Sequence, residues 1–578
     1  MYWVPLCIGV YVLIALPLLF MITKGHMDLL GCVLALGLAV VLPSSILGNL
    51  PSSLVTLDTS LGQVSGVRKP AGNNTYVDVF YSIPFAQPPL GELRFKSPVP
   101  ADPWNGVLDG TKMPDACWQA LDTAFDRFWG VEMWNPNTPR SEDCLYLNVY
   151  LPNRGKSSAP SKPKPIMIWI YGGGFWAGSA TLGVYDATYL AARNDVIVVS
   201  IAYRIGPLGF LYLGNDDVPG NAGLFDQGMA MKWVRDNAER LGGSPDDITL
   251  FGESAGAVSV GLHMFSPETR DLFSYAIMES SAPIANWAVQ ANDKAKARSL
   301  GLAASVSCDG KASEDELMQC LRKADPEVLS NNQWDFVEKY FDTTFAPVVD
   351  GKFIPDHPVS MLARGDIKRT SVILGMNKNE GIYFDLYGFI KDFPLEGNGQ
   401  IDQIQFDNIL PKIVDDPNKI QQVKNEYFKD LSLSYAEIVD AVSGDVLFKC
   451  PLIDFGQAYS NLGGEVYMYS FEHRVADNPW PEWFGVAHGY EIEIVFGLPL
   501  APNSLSPSDE KTLSVEVMKL WTTFARTGNP NGAVEVWPRY DEAEEKYLVL
   551  DTSSNVVKEG LRRDQCAFWA SLEAAGQE

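Results

Sequence analysis

The sequence predicts an α/β protein in which a large, mostly parallel sheet is covered by helices on both faces. Its predicted strands are short apolar runs without alternation, and helical segments separate several of them. Continuous apolar runs are typical of strands that are buried on both faces of a parallel sheet. The chain has 578 residues, 46% hydrophobic and 11% aromatic, which is enough apolar side chains for one large core. We therefore expect a single large domain.

The strand and helix predictions follow the apolar patterns along the chain. A helix is predicted over 226–243, where DQGMAMKWVRDNAERLGG closes with two glycines. The Pro/Ser/Lys-rich stretch 154–165 predicts a surface loop. The predicted strands are IMIWIY (166–171), VIVVSIAY (196–203), ITLFG (248–252), YAIME (275–279) and SVILG (371–375).

The N-terminus carries two apolar runs, residues 3–22 and 28–47, and either is long enough to span a bilayer. Met27 is a second possible start, and the run after it resembles a signal-peptide hydrophobic region that ends in small residues. We predict a cleaved leader over 1–48, with the mature chain starting near residues 46–52 and the catalytic domain over 49–578. A retained signal anchor is the alternative. Both send the rest of the chain to the secretory side, where disulfides form.

The cysteines fit an exported protein. Of the eight in the chain, Cys7 and Cys32 fall in the leader, which leaves an even six. Their order suggests two local loops and one long closure, and their spacing suggests no metal site. Asn73 begins the sequon Asn-Asn-Thr, which predicts glycosylation in the same compartment. The expected pairs are Cys117 with Cys144, Cys308 with Cys320, and Cys450 with Cys566.

The net charge of −26 argues against a nucleic-acid partner. A strongly acidic surface raises the local concentration of cationic ligands and speeds their arrival. The same charge also keeps an exported protein soluble, so composition leaves both interpretations open.

The catalytic prediction starts at Ser254 in FGESAGAVSVG (251–261). This serine stands in a Gly-x-Ser-x-Gly motif between a predicted strand and a predicted helix, the context of a nucleophile elbow. Glycines at 252 and 256 suit a turn whose neighbouring backbone leaves no room for a Cβ. Upstream, IYGGGFWAG (170–178) places a glycine run after another strand. The amides of Gly173, Gly174 and Ala255 are therefore predicted to form an oxyanion hole.

The general base must be one of five histidines. His26 lies in the leader, and His263 is too close to Ser254 in sequence to reach over it. His357 lies between turn residues, which suggests a surface position. In the elbow-bearing fold the chain order is serine, acid, histidine. His488, in a loop bounded by glycine, is preferred to His473, which lies at a strand end beside an arginine.

The acid is expected after the strand 371–375. Glu380, before Gly381, would hold the histidine in the tautomer that accepts the serine proton. Asp350 is the competitor, but it precedes a glycine in a tight turn and is interpreted as structural.

Four motifs now make a family resemblance specific: EDCLYLNVY, YGGGFWAGS, FGESAGAVSVG and AHGYEIEIVFGLPL. They are similar to those of the type-B carboxylesterases and cholinesterases, from about residue 55 to the end, including LWTTFARTGNPN (520–531) and CAFW (566–569). The resemblance implies one α/β-hydrolase domain, a Ser-Glu-His triad, three disulfides paired as above and no cofactor.

Within that family the resemblance is closest to cholinesterases, because GVEMWNPN (130–137) matches the segment that carries their choline-binding tryptophan. A quaternary ammonium has no hydrogen-bond donor, so its site needs aromatic faces in a negative field. The resemblance places Trp134, Tyr383, Glu253 and Glu491 at this site. At the entrance it implies a peripheral cation platform of Asp122, Trp334, Tyr387 and Trp176, with Ala120 and Trp176 where tyrosines are common.

The acyl side departs from the pattern of vertebrate acetylcholinesterases, since Thr343 stands where they have a second phenylalanine. The expected pocket comprises Phe341, Thr343, Trp287 and Phe384. Because a methylene or two changes discrimination by roughly 1–3 kcal/mol, we expect propionyl and butyryl esters to be accepted beside acetyl esters.

Two other functions stay open from the sequence. One is a general carboxylesterase with broader ester specificity, and the other is a non-catalytic adhesion protein resembling neuroligins, which the presence of Ser254 disfavours. The chain end CAFWASLEAAGQE has neither an apolar tail nor a further cysteine. We therefore expect a secreted monomer or non-covalent dimer that acts on a small cationic ester.

Overall fold

The computed structural model describes residues 54–72, 74–153, 162–215, 217–311, 313–414, 416–534, 536–553 and 556–575. The predicted leader over 1–48 and the sequon residue Asn73 lie outside these residues. No helix in the described ranges is long and apolar enough to cross a membrane.

A large mixed sheet of 13 strands organises the described residues, and a separate pair of short strands stands apart from it. The strands, in chain order, are β1 (Leu54–Asp58), β2 (Gln63–Pro70), β3 (Tyr76–Pro84), β4 (Val107–Asp109), β5 (Ala116–Cys117), β6 (Arg140–Ser141), β7 (Tyr146–Asn153), β8 (Lys164–Ile170), β9 (Ile197–Ile201), β10 (Gly243–Glu253), β11 (Tyr275–Glu279), β12 (Ser371–Asn377), β13 (Glu465–Phe471), β14 (Lys546–Leu550) and β15 (Val556–Glu559).

The strand order is β1-β2-β3-β7-β9-β8-β10-β11-β12-β13-β14-β15, with β4 beside β2. Neighbours from β9 to β14 along this path are parallel. The flanking pairs of the path, up to β7–β9 on one side and at β14–β15 on the other, are antiparallel. The carboxyl ends of the parallel strands therefore meet at one edge, where ligands bind in open α/β sheets.

Helices cover the sheet and build the walls above that edge. The α-helices are Trp129–Glu132, Thr188–Asn194, Gly206–Phe210, Ala222–Asn237, Ala255–Phe265, Asn292–Ser305, Glu314–Leu321, Pro326–Asn332, Pro358–Arg364, Ile382–Gly388, Gln403–Ile413, Pro417–Tyr427, Tyr435–Gly444, Cys450–Asn461, Ile492–Phe496, Ser508–Thr527 and Arg563–Ala575. A π-helical turn, Asp445–Lys449, joins two of them.

The mostly parallel sheet is confirmed, and all five predicted strands are present with ends shifted by a few residues. The helix predicted over 226–243 begins earlier, at Ala222, and ends earlier, at Asn237. The two glycines predicted to close the helix lie beyond its end. Gly242 forms a turn with φ +81°, and Gly243 is the first residue of β10, where it pairs with Lys164. A Gly-Gly pair thus marked the turn after the helix rather than its last residues.

The three predicted disulfides are confirmed: Cys117–Cys144, Cys308–Cys320 and Cys450–Cys566. The first closes a loop of 27 residues whose two ends are also joined by the small parallel pair β5–β6. Trp134 lies in this loop, whose two ends are held together by the disulfide and by the β5–β6 pair.

Candidate active site

Ser254 occupies a sharp turn between β10 and the helix Ala255–Phe265. Its backbone has φ 57° and ψ −122°, a conformation that residues other than glycine rarely adopt. The turn is tight because a Cβ at Gly256 would lie 2.0 Å from the carbonyl oxygen of Ile170 in the neighbouring strand. The strained serine is therefore held at the carboxyl edge of the sheet, at the N-terminus of a helix, where developing negative charge is stabilised.

The glycine run after β8 lies against this serine. A Cβ at Gly172 would be 2.9 Å from the Cβ of Ser254, so the two segments are in direct contact. Gly173 and Gly174 follow with φ +110° and +58°, and Trp176 packs its indole so closely over Gly174 that a Cβ there would lie 2.3 Å from the ring. The predicted oxyanion-hole residues thus converge on Ser254 from two strands.

His488 and Glu380 form a buried pair, and His488 lines the same cavity as Ser254. The Nδ1 atom of His488 lies 2.6 Å from Oε2 of Glu380, while the other carboxylate oxygen accepts a hydrogen bond of 2.6 Å from the backbone N–H of Asn377. Glu380 is fully buried. With both oxygens engaged as acceptors, the carboxylate fixes the ring and places its proton on Nδ1, which leaves Nε2 as the acceptor.

The free ring nitrogen of His488 faces Glu253, the residue before the serine. Nε2 lies 3.0 Å from Oε1 of Glu253, yet that oxygen makes no hydrogen bond in the described structure. The two atoms are in contact without the alignment a hydrogen bond requires. Glu380 stabilises the protonated imidazole formed during acyl transfer, and the positive charge of that imidazole would in turn favour the ionised form of Glu253.

Four glutamates are buried around the catalytic residues: Glu253, Glu279, Glu380 and Glu491. Burial raises the pKa of Glu253 well above its ordinary value, and the charges of Glu380 and Glu279 raise it further. Burial and the charge of Glu253 likewise raise the pKa of Glu491, which accepts hydrogen bonds from Asn377 and Ser280. Glu253, Glu279 and Glu491 therefore retain protons at pH values where exposed carboxyl groups are ionised.

Ser254, His488 and Glu253 line a cavity of about 960 Å³. Most of the sequence-predicted site residues lie on its wall, whereas Ala255, Glu380 and Glu491 lie beneath it and Trp287 and Thr343 stand behind it. The predicted residues on the wall are Asp122, Trp134, Gly173, Gly174, Trp176, Glu253, Ser254, Trp334, Phe341, Tyr383, Phe384, Tyr387 and His488.

Trp134 borders the cavity beside the histidine loop. A Cβ at Gly489 would lie 3.4 Å from both the Trp134 indole and Oε1 of Glu253, so the aromatic face and the carboxylate flank the same point. Tyr490 meets the indole edge to face, with ring centroids 6.1 Å apart. An aromatic face next to a buried carboxylate is suited to a cation that has no hydrogen-bond donor.

Side chains that the sequence did not single out hold this loop in place. Gln119 clamps it to the glycine-rich segment, because its amide accepts from the N–H of Gly178 at 2.9 Å and donates to the carbonyl of Gly178 at 2.8 Å. Asn137 makes a similar pair of bonds with Thr181. The only sequence signal for these contacts was an amide side chain in a loop, and Asn and Gln are too common in loops for that signal to be specific.

At the entrance, Asp122 is tied to both sides of the cavity. Its carboxylate accepts a hydrogen bond of 2.5 Å from Tyr387, whose hydroxyl lies 3.5 Å from that of Tyr383. Asn135 grips the Asp122 backbone with two hydrogen bonds of 2.9 Å. Opposite, Trp334 is 41% exposed and meets Trp176 edge to face at 5.5 Å. The predicted peripheral residues thus stand around one opening.

The acyl side differs from the sequence-based picture in its depth. Phe341 and Phe384 are on the wall, with ring centroids 4.6 Å apart. Thr343 and Trp287 are buried behind Phe341, where the threonine hydroxyl donates to the Trp287 carbonyl at 2.9 Å. The expectation that Thr343 itself lines and enlarges the cavity is wrong. Its hydrogen bond to Trp287 holds the threonine side chain behind Phe341, so any volume it leaves lies in the layer behind the wall.

Phe448 is the main aromatic that sequence reasoning missed. It stacks on Phe384 at 5.0 Å, and its ring centroid lies 4.5 Å from that of His488. It belongs to the π-helical turn Asp445–Lys449, and no motif or strand end in the sequence marks this position. Together with Phe384 it shields the imidazole from water on the acyl side.

The comparisons with known proteins agree with this arrangement. A family model described as "Carboxylesterase family" matches residues 53–569. The chain belongs to the carboxylesterase family. Within it, the chain is 41% identical to the acetylcholinesterase of Electrophorus electricus over 89% of this chain and 88% of that protein. It is 42% identical to the cholinesterase of Mus musculus over 89% and 86%, and 40% identical to the acetylcholinesterase of Bungarus fasciatus over 89% and 85%.

Membership of the carboxylesterase family and the similarity to cholinesterases support the assignment of this chain as a carboxylic ester hydrolase. The described residues contain no group of three or more His, Cys, Asp or Glu side chains that could hold a metal ion. The groups brought together here, a serine at an elbow, a buried His-Glu pair and a glycine run packed against the serine, are those that acyl transfer requires.

Proposed function

We propose that this protein hydrolyses choline esters through an acyl-enzyme at Ser254. Trp134 carries the proposal, because its indole borders the cavity that holds Ser254 and His488 and lies next to the Glu253 carboxylate. An ester with a trimethylammonium group would place that group against Trp134 and Tyr383, with its carbonyl toward the serine. In this pose the cationic end of the ester contacts the aromatic side chains, and the ester carbonyl lies at Ser254.

In the proposed reaction, His488 takes the proton of Ser254 as the hydroxyl oxygen attacks the ester carbonyl. The amides of Gly173, Gly174 and Ala255 stabilise the oxyanion. Choline leaves with the proton held on Nε2 of His488. Water then attacks the acyl-enzyme with the same histidine as base, which releases the acid and restores the serine.

Glu380 supports each step because it holds the proton of the imidazole on Nδ1 and stabilises the imidazolium. Glu253 contributes from the other ring nitrogen, where its carboxylate lies 3.0 Å away. Glu491, hydrogen-bonded to Asn377, fixes the strand end from which the Glu380 loop departs. Glu380 is fully buried, so the effect of its charge on the imidazolium is screened less than at a surface.

The proposal includes tolerance for propionyl and butyryl groups. The acyl group would lie against Phe341 and Phe384, and the threonine at 343 leaves less bulk behind Phe341 than an aromatic residue would. The wall can then recede without a change in the residues that touch the substrate. The kcat/KM for acetyl-, propionyl- and butyrylthiocholine is expected to stay within about tenfold, because a wall that recedes should cancel most of the roughly 1–3 kcal/mol by which a methylene is discriminated in a fitted pocket.

The decisive test is Trp134→Ala. A cation on an aromatic face away from water is worth about 2 kcal/mol, so kcat/KM for acetylthiocholine should fall by roughly 30-fold. The neutral ester 1-naphthyl acetate should lose much less. Trp129→Ala is a matched control, because Trp129 lies in the same disulfide loop but is 64% exposed. Equal losses for both esters would replace the proposal with a general carboxylesterase.

We also propose that the protein is exported, with a leader removed before about residue 52 and a glycan at Asn73. The three disulfides support an oxidising compartment. A monomer or non-covalent dimer is the proposed state. N-terminal sequencing of protein from the medium of expressing cells tests the leader, and a chain that begins at Met1 or Met27 in the membrane fraction would establish the signal anchor instead.

A further inference from the structure

A second cavity, of about 230 Å³, lies behind the acyl wall. Four consecutive residues, 339–342, line both this cavity and the catalytic one, so the segment is the partition between them. Phe341 in this partition has φ +49°, in the left-handed region that few residues other than glycine adopt. We call the smaller cavity the rear compartment.

The rear compartment is polar and carries basic groups from one helix face. Lys294 and Arg298 stand four residues apart in the helix Asn292–Ser305 and both line it. Lys339 lines it from the partition, and Asp342 is the acidic residue on its wall. Two carboxylates pair with these cations, Asp342 on the wall and Glu338 at the edge of the catalytic cavity, so three cationic side chains face two acidic ones. In a chain with a net charge of −26, this is a local excess of positive charge.

Arg298 supplies the buried part of this site. The residue is 3% exposed, and its guanidinium pairs with Asp342 and donates to the carbonyl of Thr343 at 3.1 Å. Its Nε atom is buried and has no hydrogen-bond partner among the described residues. Because Arg298 is buried, the charge of its guanidinium is screened less than a charge at the surface.

The protein itself shows which ligand chemistry the two cations accept. The carboxylate of Glu338 bridges them, with Oε2 at 2.8 Å from Nζ of Lys294 and 3.6 Å from Nη2 of Arg298. Glu338 is 63% exposed, so this contact is a weak one that another carboxylate can displace. An apolar acyl tail is a poor alternative ligand, because it would have to desolvate these charges.

We infer that the rear compartment is a binding site for a small carboxylate, such as the acid that ester hydrolysis releases on the other side of Phe341. The inference rests on the proposed function only for the origin of that acid. The catalytic cavity is lined by the carboxylates of Asp122 and Glu338, which disfavour a further carboxylate, whereas the compartment behind the partition offers Lys294 and Arg298. The acid and the cationic alcohol are thereby drawn to opposite sides of the site.

Binding is tested directly in a Ser254→Ala background, where turnover cannot interfere. The probe is 4,4,4-trifluorobutyrate, followed by fluorine NMR line width. Lys294→Gln should weaken its binding by about fivefold, the upper range for a half-exposed ion pair. Glu338→Gln should tighten it by a similar factor, because the competing internal carboxylate is gone. These opposite signs are not expected from a general change in stability, which melting curves of each variant would reveal.

Lys412→Gln is the matched control, since Lys412 lines the catalytic cavity but not the rear compartment. It should leave probe binding unchanged. A loss with Lys412→Gln and none with Lys294→Gln would place the carboxylate in the catalytic cavity and overturn the inference. Absence of saturable binding would overturn it as well.

Kinetics give an independent check with a neutral ester. Butyrate should inhibit hydrolysis of 1-naphthyl acetate without competing with it, and inhibition should weaken in Lys294→Gln. Competitive inhibition would refute a separate site, whatever the protein's activity toward choline esters. The source of the acid is distinguished by comparing butyrate added at the start with the same amount formed by turnover of a butyrate ester: stronger inhibition by the latter indicates entry past Phe341, and equal inhibition indicates entry from solvent.

Discussion

Replacing Glu380 with glutamine tests the proposed triad at its most constrained point. Both oxygens of this buried carboxylate accept hydrogen bonds, one from Nδ1 of His488 and one from the backbone N–H of Asn377, each at 2.6 Å. A glutamine of the same shape has only one acceptor oxygen, and its NH2 group must face one of these two donors. One orientation therefore forces the imidazole into its other tautomer, and the other orientation brings two donors together.

The free energy at stake can be worked from these contacts. If the amide oxygen keeps the Asn377 bond, the NH2 group faces His488 and the imidazole must place its proton on Nε2, where it can no longer accept the serine proton. If the amide turns round, the backbone donor of Asn377 is left unsatisfied, which costs about 1–3 kcal/mol. Loss of the correct tautomer and of the carboxylate charge should lower kcat by about 10³- to 10⁴-fold, or roughly 4–5.5 kcal/mol.

The assay is kcat for 1-naphthyl acetate, because a neutral ester isolates the triad from cation binding. Glu380→Asp is the companion variant, since it keeps the charge with a shorter reach and should retain more activity than the glutamine. Melting curves verify that each variant folds. A loss below about tenfold in a folded Glu380→Gln protein would refute the assigned role, because a dispensable acid cannot be fixing the tautomer.

Three further outcomes are expected. Since a bound cation favours ionised Glu253, whose pKa is raised, binding of a quaternary ammonium inhibitor should release protons and strengthen as pH rises; calorimetry in buffers of different ionisation enthalpy measures this, and no proton release would contradict it. Burial raises the pKa of Glu279 from 4.5 to about 8, so the unfolded chain loses this proton first and the free energy of unfolding falls as pH rises through that window. Glu279→Gln should therefore gain about 1–3 kcal/mol over the native protein between pH 5 and pH 8, measured by urea unfolding, and a gap independent of pH would argue against it. Gly256→Ala puts a Cβ 2.0 Å from the Ile170 carbonyl, so it should lose several kcal/mol or fail to fold, whereas Gly532→Ala, with open space around it, should not.

The three residues of the proposed triad could be placed at one edge of the sheet from the sequence, because each of them follows a parallel strand. Ser254 comes directly after β10, Glu380 three residues after β12, and His488 lies on a loop after β13. Strand ends of a parallel sheet share one edge, so order and local motif were sufficient to bring these residues together. The same logic located the glycine run, which follows β8.

Side-chain depth was beyond the reach of the sequence. Thr343 occupies its predicted position in the chain, but a hydrogen bond to the Trp287 carbonyl turns it away from the cavity. Phe448 contacts the catalytic histidine from a π-helical turn that has no sequence signature. The antiparallel flank formed by β1, β2, β3 and β7 was also unpredicted, because these strands are partly exposed and lack the continuous apolar runs of the centre.

The tether of the Trp134 loop has an evolutionary consequence. The loop supplies two residues to a minor sheet and none to the main one, and it is attached through a disulfide and the clamps of Gln119 and Asn137. Its interior can therefore change in sequence without disturbing the strands that position the nucleophile. Under the proposed function, substitutions in this one loop could change which alcohol group is preferred, while the residues proposed to break the ester bond stay the same.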